Sequence, residues 1–221
     1  MNFLTMAQTV RQLVGMQGSG PDTVTASNYD SILVTLVKNS WEDIQLSKKK
    51  WKWMRTTVDF FTVVGQSTYT IAEIFGPSFT RFGRWNTDFF FVYDGTTSTP
   101  IRFVEYDVWI FDHINDSVNT NISTFTVDPS NNSLLFSKPD QIYTIKTSYY
   151  KSKQILAVDS DIPELPEDYH NVIIYDAVAR YALNVSLGAV YQLYSQKFVE
   201  LYDDLVRSQL PKEKFRVRGI A

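Results

Sequence analysis

The chain contains no cysteine among its 221 residues. That excludes disulfide cross-links, thiolate nucleophiles and cysteine-ligated zinc. The absence suits a reducing cytoplasm without requiring one. Histidine occurs only twice, so imidazole-based catalysis or metal binding has little to draw on. No apolar run approaches the roughly 20 residues of a membrane-spanning helix. The opening "MNFLTMAQTVRQLVG" has no basic region leading into an apolar one, as a secretory signal would. A soluble chain is expected, with no membrane partner. Positive charge is not in excess either. The formal net charge of -3 excludes nucleic-acid binding by bulk electrostatics and leaves any DNA contact to local patches.

Aromatic residues are what the chain has in quantity: 15% of positions, with 13 Tyr and 15 Phe. Such an excess favours β-structure and contact surfaces that bury large side chains. With 44% hydrophobic and 20% charged residues the chain is globular. Its length allows one sizeable core or two small ones.

The hydrophobic period changes twice. From Asn2 to Val14 the apolar positions Phe3, Leu4, Met6, Ala7, Val10, Leu13 and Val14 recur at helical spacing, with Asn2 or Thr5 as cap. "GMQGSGPDTVTASN" reads as a loop, with Ser27 or Asn28 placed to cap a second helix over about 29–48. That helix carries the stripe Ile32, Leu33, Leu36, Val37, Trp41 and Ile44. After Arg55 the pattern becomes β. "TTVDFFTVV" and "STYTI", separated by "GQ", predict a two-residue hairpin. Further strands are expected in "RWNTDFFFVYD", "PIRFVEYDVWIF", "STFTV", "SLLFS" and "YTIKTSYYK". "STFTV" and "SLLFS" read as a hairpin turned by Pro129, Asn131 and Asn132, and Tyr143, Ile145, Thr147 and Tyr149 alternate as in a half-buried strand. Pro163 and Pro166 then close the β-region. A third helix, over about 167–185, buries Val172, Ile173, Ala177, Val178 and Tyr181. "NVSLG" breaks it, and a fourth helix presents Tyr191, Tyr194, Phe198, Leu201, Tyr202 and Leu205, folding back as an antiparallel hairpin. Pro211 stops it.

The order predicts an α+β fold: a helical bundle built from N- and C-terminal helices with an inserted antiparallel β-rich domain. The expected divisions are 1–55 and 156–210 for the helices, 56–155 for the insertion and 211–221 for an extended basic tail.

Chemistry-bearing motifs are few. His113 in "FDHIND" reads as a solvated loop histidine beside Asp112 and Asp116. His170 in "PEDYH", near Glu167, reads as a capping or surface histidine, since no third ligand stands at useful spacing. "GSGPDT" lacks the lysine and preceding strand of a phosphate-binding loop. "DSD" at 159–161 lacks the glycine and closing glutamate of a calcium loop. The sequons at Asn115, Asn121, Asn131 and Asn184 matter only in a secretory pathway. No catalytic site, metal or cofactor is expected, and the chain reads as a non-enzyme.

One stretch resists a single reading. "LSKKKWKWMR" places Lys48, Lys49 and Lys50 before Trp51 and Trp53. In the structural reading Trp41, Trp51 and Trp53 mark the junction of bundle and β-domain, and the lysines complement the dipole in the last turn of helix two. In the other, basic residues among aromatics grip a nucleic acid.

Four segments carry a resemblance. They are the N-terminal helix followed by "GMQGSGPDTV", then "SWEDIQLSKKKWKWMR", then "YTIKTSYYKSKQIL" leading into "DIPELPEDYHNVIIYDAVARYAL", and the closing helices ending in "LVRSQLP". The chain resembles the head-to-tail adaptor (connector) proteins of short-tailed bacteriophages over most of its length. The resemblance implies a structural virion protein in the neck, assembled in the host cytoplasm. Its copies would form a homo-oligomeric ring, commonly a dodecamer, beneath the portal protein. The ring would extend the channel through which double-stranded DNA passes and would dock the tail nozzle or tail tube. Lys48, Lys49 and Lys50 would then face that channel. In the tail, Lys214, Arg216 and Arg218 alternate with Phe215 and Val217, with Ile220 beyond. An exposed segment of that kind adds as a strand to a partner or orders in a cleft, and the resemblance makes the portal that partner. Two other classes stand beside this one: a DNA-binding protein using 48–55 and the basic tail, and a carbohydrate-binding β-domain using aromatic strands such as "RWNTDFFFVYD".

Overall fold

The computed structural model of the chain describes residues 1–18, 20–25, 30–113 and 122–211. Helices α1 (Phe3–Leu13) and α2 (Ser31–Ser47) come first. A 3-10 turn at Lys52–Met54 leads into strand β1 (Arg55–Phe61). Strand β2 (Thr68–Tyr69), the short helix α3 (Ile71–Phe75) and the long strand β3 (Phe82–Tyr93) follow. Next are β4 (Ser98–Pro100), β5 (Arg102–Phe103) and helix α4 (Tyr106–His113). Strands β6 (Thr124–Val127), β7 (Leu134–Phe136) and β8 (Thr144–Lys151) complete the β-region. A 3-10 turn at Glu167–Tyr169 opens α5 (His170–Asn184), and α6 (Gly188–Gln209) closes the described chain. The class is α+β. The chain divides into two compact units: Met1–Met54 together with the chain from Lys153 on, and Arg55–Ser152.

In the helical unit, the Asn2 side chain caps α1 by accepting from the Thr5 amide at 2.8 Å. Phe3, Met6, Ala7 and Val10 recur at helical spacing and are all buried. They share a core with Leu33, Val37, Trp41 and Ile44 of α2, with Val172, Ile173, Ala177, Val178 and Tyr181 of α5, and with Tyr194 and Leu205 of α6. Each fully buried side chain of this size is worth roughly 1.5–3 kcal/mol. The expected α2 stripe needs one correction. Ile32 is 45% exposed, because the buried face runs Leu33, Val37, Ser40, Trp41, Ile44 and Ile32 lies one residue, about 100° of helix, off it. Tyr191 likewise stands at the exposed edge of the α6 face. The expected α2 caps, Ser27 and Asn28, lie outside the described residues.

The β unit holds two four-stranded sheets, in the orders β1-β8-β3-β4 and β2-β7-β6-β5. Every pair is antiparallel except the short parallel pair β5–β6. Phe60 and Phe90 of the first sheet pack with Tyr69, Phe125, Leu134 and Phe136 of the second in one aromatic core, and Phe90 stacks on Phe125 with centroids 3.9 Å apart. The β6–β7 hairpin forms as expected. Asp128 accepts from the Ser130 amide at 2.8 Å, Asn131 accepts from the Ser133 amide at 2.8 Å, and Asn132 adopts φ 60°.

Three expectations fail here. "TTVDFFTVV" and "STYTI" do not form a hairpin: β1 pairs with β8 and β2 with β7. After Phe61 the chain stays beside the β8 entry, with the Thr62 amide donating to Tyr143 O at 2.9 Å and that of Gly65 to Pro139 O at 2.9 Å. The "GQ" turn therefore carries the chain between sheets. "PIRFVEYDVWIF" is not one strand but the end of β4, β5 and then α4; a short apolar run has no period to separate strand from helix. At strand β8 the expected set Tyr143, Ile145, Thr147 and Tyr149 is buried, but Ser148 and Tyr150 between and beyond them are buried too, so the Thr147–Tyr150 end is covered on both faces rather than half-buried. Beside it, Gly83 is obligatory: a Cβ there would sit 2.8 Å from the Tyr150 carbonyl oxygen.

Candidate functional site

The stretch that resisted a single reading now has a geometry. Helix α2 ends at Ser47, and Lys48 is already extended at φ -135° and ψ 142°. The end is fixed by two donors on one carbonyl: Ser47 Oγ and Trp51 Nε1 reach Ile44 O at 2.6 and 3.0 Å. The chain must turn back to bring the indole there. Lys48, Lys49 and Lys50 therefore lie beyond the helix, all exposed, and the expected placement in its last turn is corrected.

Trp41 and Trp51 are wholly buried in the core of the helical unit. Trp53 stacks on Trp51 with centroids 4.2 Å apart, and Tyr202 of α6 meets Trp51 edge-on at 6.4 Å. Tyr202 Oη donates to Ser47 Oγ at 2.8 Å, and Lys52 Nζ donates to Ser208 O at 2.8 Å. The aromatic and basic residues of 47–53 thus bind the end of α2 to α6. Sequence reasoning found the tryptophans but missed Tyr202 as their partner, because nothing local links positions so far apart.

The histidines differ from their expected settings. His113 is the last residue of α4 rather than part of a loop. His170 is buried, not at the surface: Nε2 lies 3.1 Å from Leu165 O and Nδ1 lies 2.9 Å from the Met1 amine. Burial pushes its pKa down, as does the positive amine beside it. Asp176, on the inner side of α5, is pushed up by burial, against the pull of Arg180, which donates to it at 2.8 Å.

The "GSGPDT" loop is held by protein groups. Arg11 donates to Gln17 O and pairs with Asp30, Gln8 Nε2 donates to Pro21 O at 3.0 Å, and the Val24 amide donates to Asp159 Oδ1 at 2.7 Å. Asp161, in the "DSD" run, accepts from the amides of Ala157 and Val158, which holds its carboxyl below the usual range. Among the described residues no group of three or more acidic or histidine side chains is placed to hold a metal ion. None of the described helices is long and apolar enough to cross a membrane. Lys214, Phe215, Arg216, Val217, Arg218 and Ile220 lie outside the described residues. One feature went unread in the sequence. Phe61, Val63, Val64 and Ile142 are all exposed in the β unit, where the Thr62–Tyr143 and Gly65–Pro139 backbone bonds hold their two segments side by side.

Compared with known families, residues 1–218 match the sequence model described as SU10 adaptor protein. No curated protein matches the chain.

Proposed function

The chain belongs to the SU10 adaptor protein family, and from that premise we propose the finer role: a ring-forming head-to-tail adaptor in the phage neck. Its copies assemble beneath the portal in the host cytoplasm, as a closed cyclic oligomer, a dodecamer in this reading. The ring extends the DNA channel and gives the tail nozzle or tube its docking surface. The family match along nearly the whole chain carries this proposal, because it covers both units and not a single motif. The exposed apolar residues at Phe61, Val63, Val64 and Ile142 support it, being what a contact protein leaves for a partner.

In this reading Trp41, Trp51 and Trp53 brace the point where the chain leaves the helical unit for the β unit. Lys48, Lys49 and Lys50 face the channel, where weak contact suits DNA that must slide. The tail, with Lys214, Phe215, Arg216, Val217, Arg218 and Ile220, docks on the portal in this reading.

Native mass spectrometry of the purified chain, alone and mixed with the portal ring of its source, tests the role. Several copies joining the portal is the expected result. A chain that stays monomeric and ignores the portal overturns it. The alternative, a DNA-binding protein, is favoured by one observation, the exposed run Lys48–Lys50 beyond α2. It requires the isolated chain to bind duplex DNA with an affinity that falls steeply as salt rises.

A further inference from the structure

The outer strands of the two sheets are unequally protected. An open strand edge presents a row of unpaired N–H and C=O groups, and folded chains shorten, charge or cover such edges. Strands β2 and β5 have two residues each, and β4 has three and ends on Pro100. Strand β1 has seven, with neither proline nor lysine, and among the described residues it pairs with β8 alone. The register fixes which of its backbone groups are left over. The Thr62 amide donates to Tyr143 O, so Phe60, Val58 and Thr56, at alternate positions before it, also turn their backbone groups to β8. The N–H and C=O of Thr57, Asp59 and Phe61 therefore point out of the sheet edge.

Side chains along this edge select what can pair with it. Val58 and Phe60 face the aromatic core, while Thr57, Asp59 and Phe61 are exposed, Phe61 by 70%. Lys146, opposite Asp59 on β8, is drawn the other way, onto the Tyr93 ring of β3 at 4.7 Å from its centroid. That leaves the Asp59 carboxylate open to another cation. The far end of β1 opens on a cavity of about 430 Å3 lined by Asp59, Phe60, Phe61, Tyr69, Glu73 and Ile74, among others. The Val63 amide donates to Tyr69 Oη at 2.9 Å and so ties the segment after β1 to the cavity. Glu73 stays ionised there: the Thr70 amide and hydroxyl donate to it at 2.7 and 2.8 Å and hold its carboxyl below the usual range. Open amides, apolar rings and two carboxylates together favour an extended polypeptide that carries a cation among apolar residues.

We propose that the open edge of β1 is a strand-addition site for an extended segment of a partner protein in which a lysine or arginine stands between apolar residues. The cation lies beside Asp59 on the outer face. Its neighbours in the added strand turn to the core face and enter the cavity over Phe60, Tyr69 and Ile74, with Glu73 adding negative potential. A slip of one residue would bring the cation onto those apolar side chains and set the apolar residues against Asp59. Backbone bonds supply the affinity, and the alternation of side chains supplies the choice of partner. The inference rests on the reading of the chain as a contact protein and states the chemistry of one contact.

The probe is a blocked peptide of alternating arginine and valine, as long as β1, added to the full isotope-labelled chain and followed by amide resonances. Shifts are expected over 55–64 and 69–74, and the same peptide with glutamate for arginine should bind about tenfold more weakly. Two further peptides test strand addition itself, one N-methylated at its arginines and the other at its valines. A strand presents alternate amides to each side, so one of the two should lose binding about tenfold and the other should keep it. On the chain, Thr57→Pro removes one outward N–H and no bond to β8, and Asp59→Arg reverses the charge of the edge. Each should weaken binding about tenfold while the circular dichroism stays that of the parent. Shifts centred elsewhere, no binding of the arginine peptide, or two methylated peptides that behave alike overturn the proposal. Recruitment to the portal is read separately, so recruitment without peptide binding sinks this inference and leaves the adaptor role standing.

Discussion

Trp51 does three things at once. Its ring fills the helical core, its Nε1 proton satisfies Ile44 O at the end of α2, and its face stacks on Trp53. Trp51→Ala removes all three and is expected to cost about 4 kcal/mol, read by urea unfolding. Trp51→Phe keeps an aromatic ring in the core but removes one of the two donors on the Ile44 carbonyl, which Ser47 Oγ still satisfies, so the lost hydrogen bond should cost only about 0.5–1.5 kcal/mol. His170 gives the second residue-scale prediction. Burial holds its pKa below the ordinary value of about 6.5. Above that value folded and unfolded chains both carry it neutral, and it adds no pH dependence. As pH falls below it, the unfolded chain takes up a proton that the folded one refuses, so stability drops until the folded pKa is passed. The melting temperature should therefore fall more between pH 7.5 and pH 5 for the parent chain than for His170→Gln; parallel curves would remove the assignment.

At the scale of elements, β3 and β8 depend on one close approach. A Cβ at Gly83 would meet the Tyr150 carbonyl oxygen at 2.8 Å and the Lys151 carbonyl carbon at 3.0 Å. Both neighbours are backbone in a strand paired on both sides, so neither can yield cheaply. Gly83→Ala should cost about 1–3 kcal/mol, the usual penalty of overpacking, visible as a lower denaturation midpoint. Helix α3 tests the converse, a helix of five residues made by its cap. Thr70 and Glu73 form a reciprocal capping box, so Thr70→Ala should cost about 1 kcal/mol. The loss should show first as faster amide exchange over 71–75.

For the molecule as a whole, two separate cores are the governing fact. Strands β1 and β8, which begin and end the β unit, pair along their length, with Arg55 opposite Tyr150. The insertion thus leaves and re-enters at neighbouring backbone positions and carries its own aromatic core. Residues 55–152 expressed alone should fold, giving dispersed amide resonances and a cooperative melt. A chain that stays unfolded would mean the β unit needs the helices to stand.

Local chemistry was enough wherever an element depends on its own residues. The Asn2 cap, the buried faces of α1 and α5, the Asp128–Asn132 hairpin and the α+β order were all legible because cap, period and turn act over a few positions. Tertiary structure alone decided what depends on partners far along the chain. β8 became a doubly flanked strand because β1 and β3 both pair with it, which no alternation within β8 could announce. The run at 106–113 forms a helix, an outcome its own pattern left open because an apolar stretch of that length is neutral between the two periods. Lys48–Lys50 left the helix because Trp51 turned back onto Ile44 O. Each outcome was set by which hydrogen-bond and packing partners the folded chain brought within reach, and long-range pairing is the term that a local pattern does not contain.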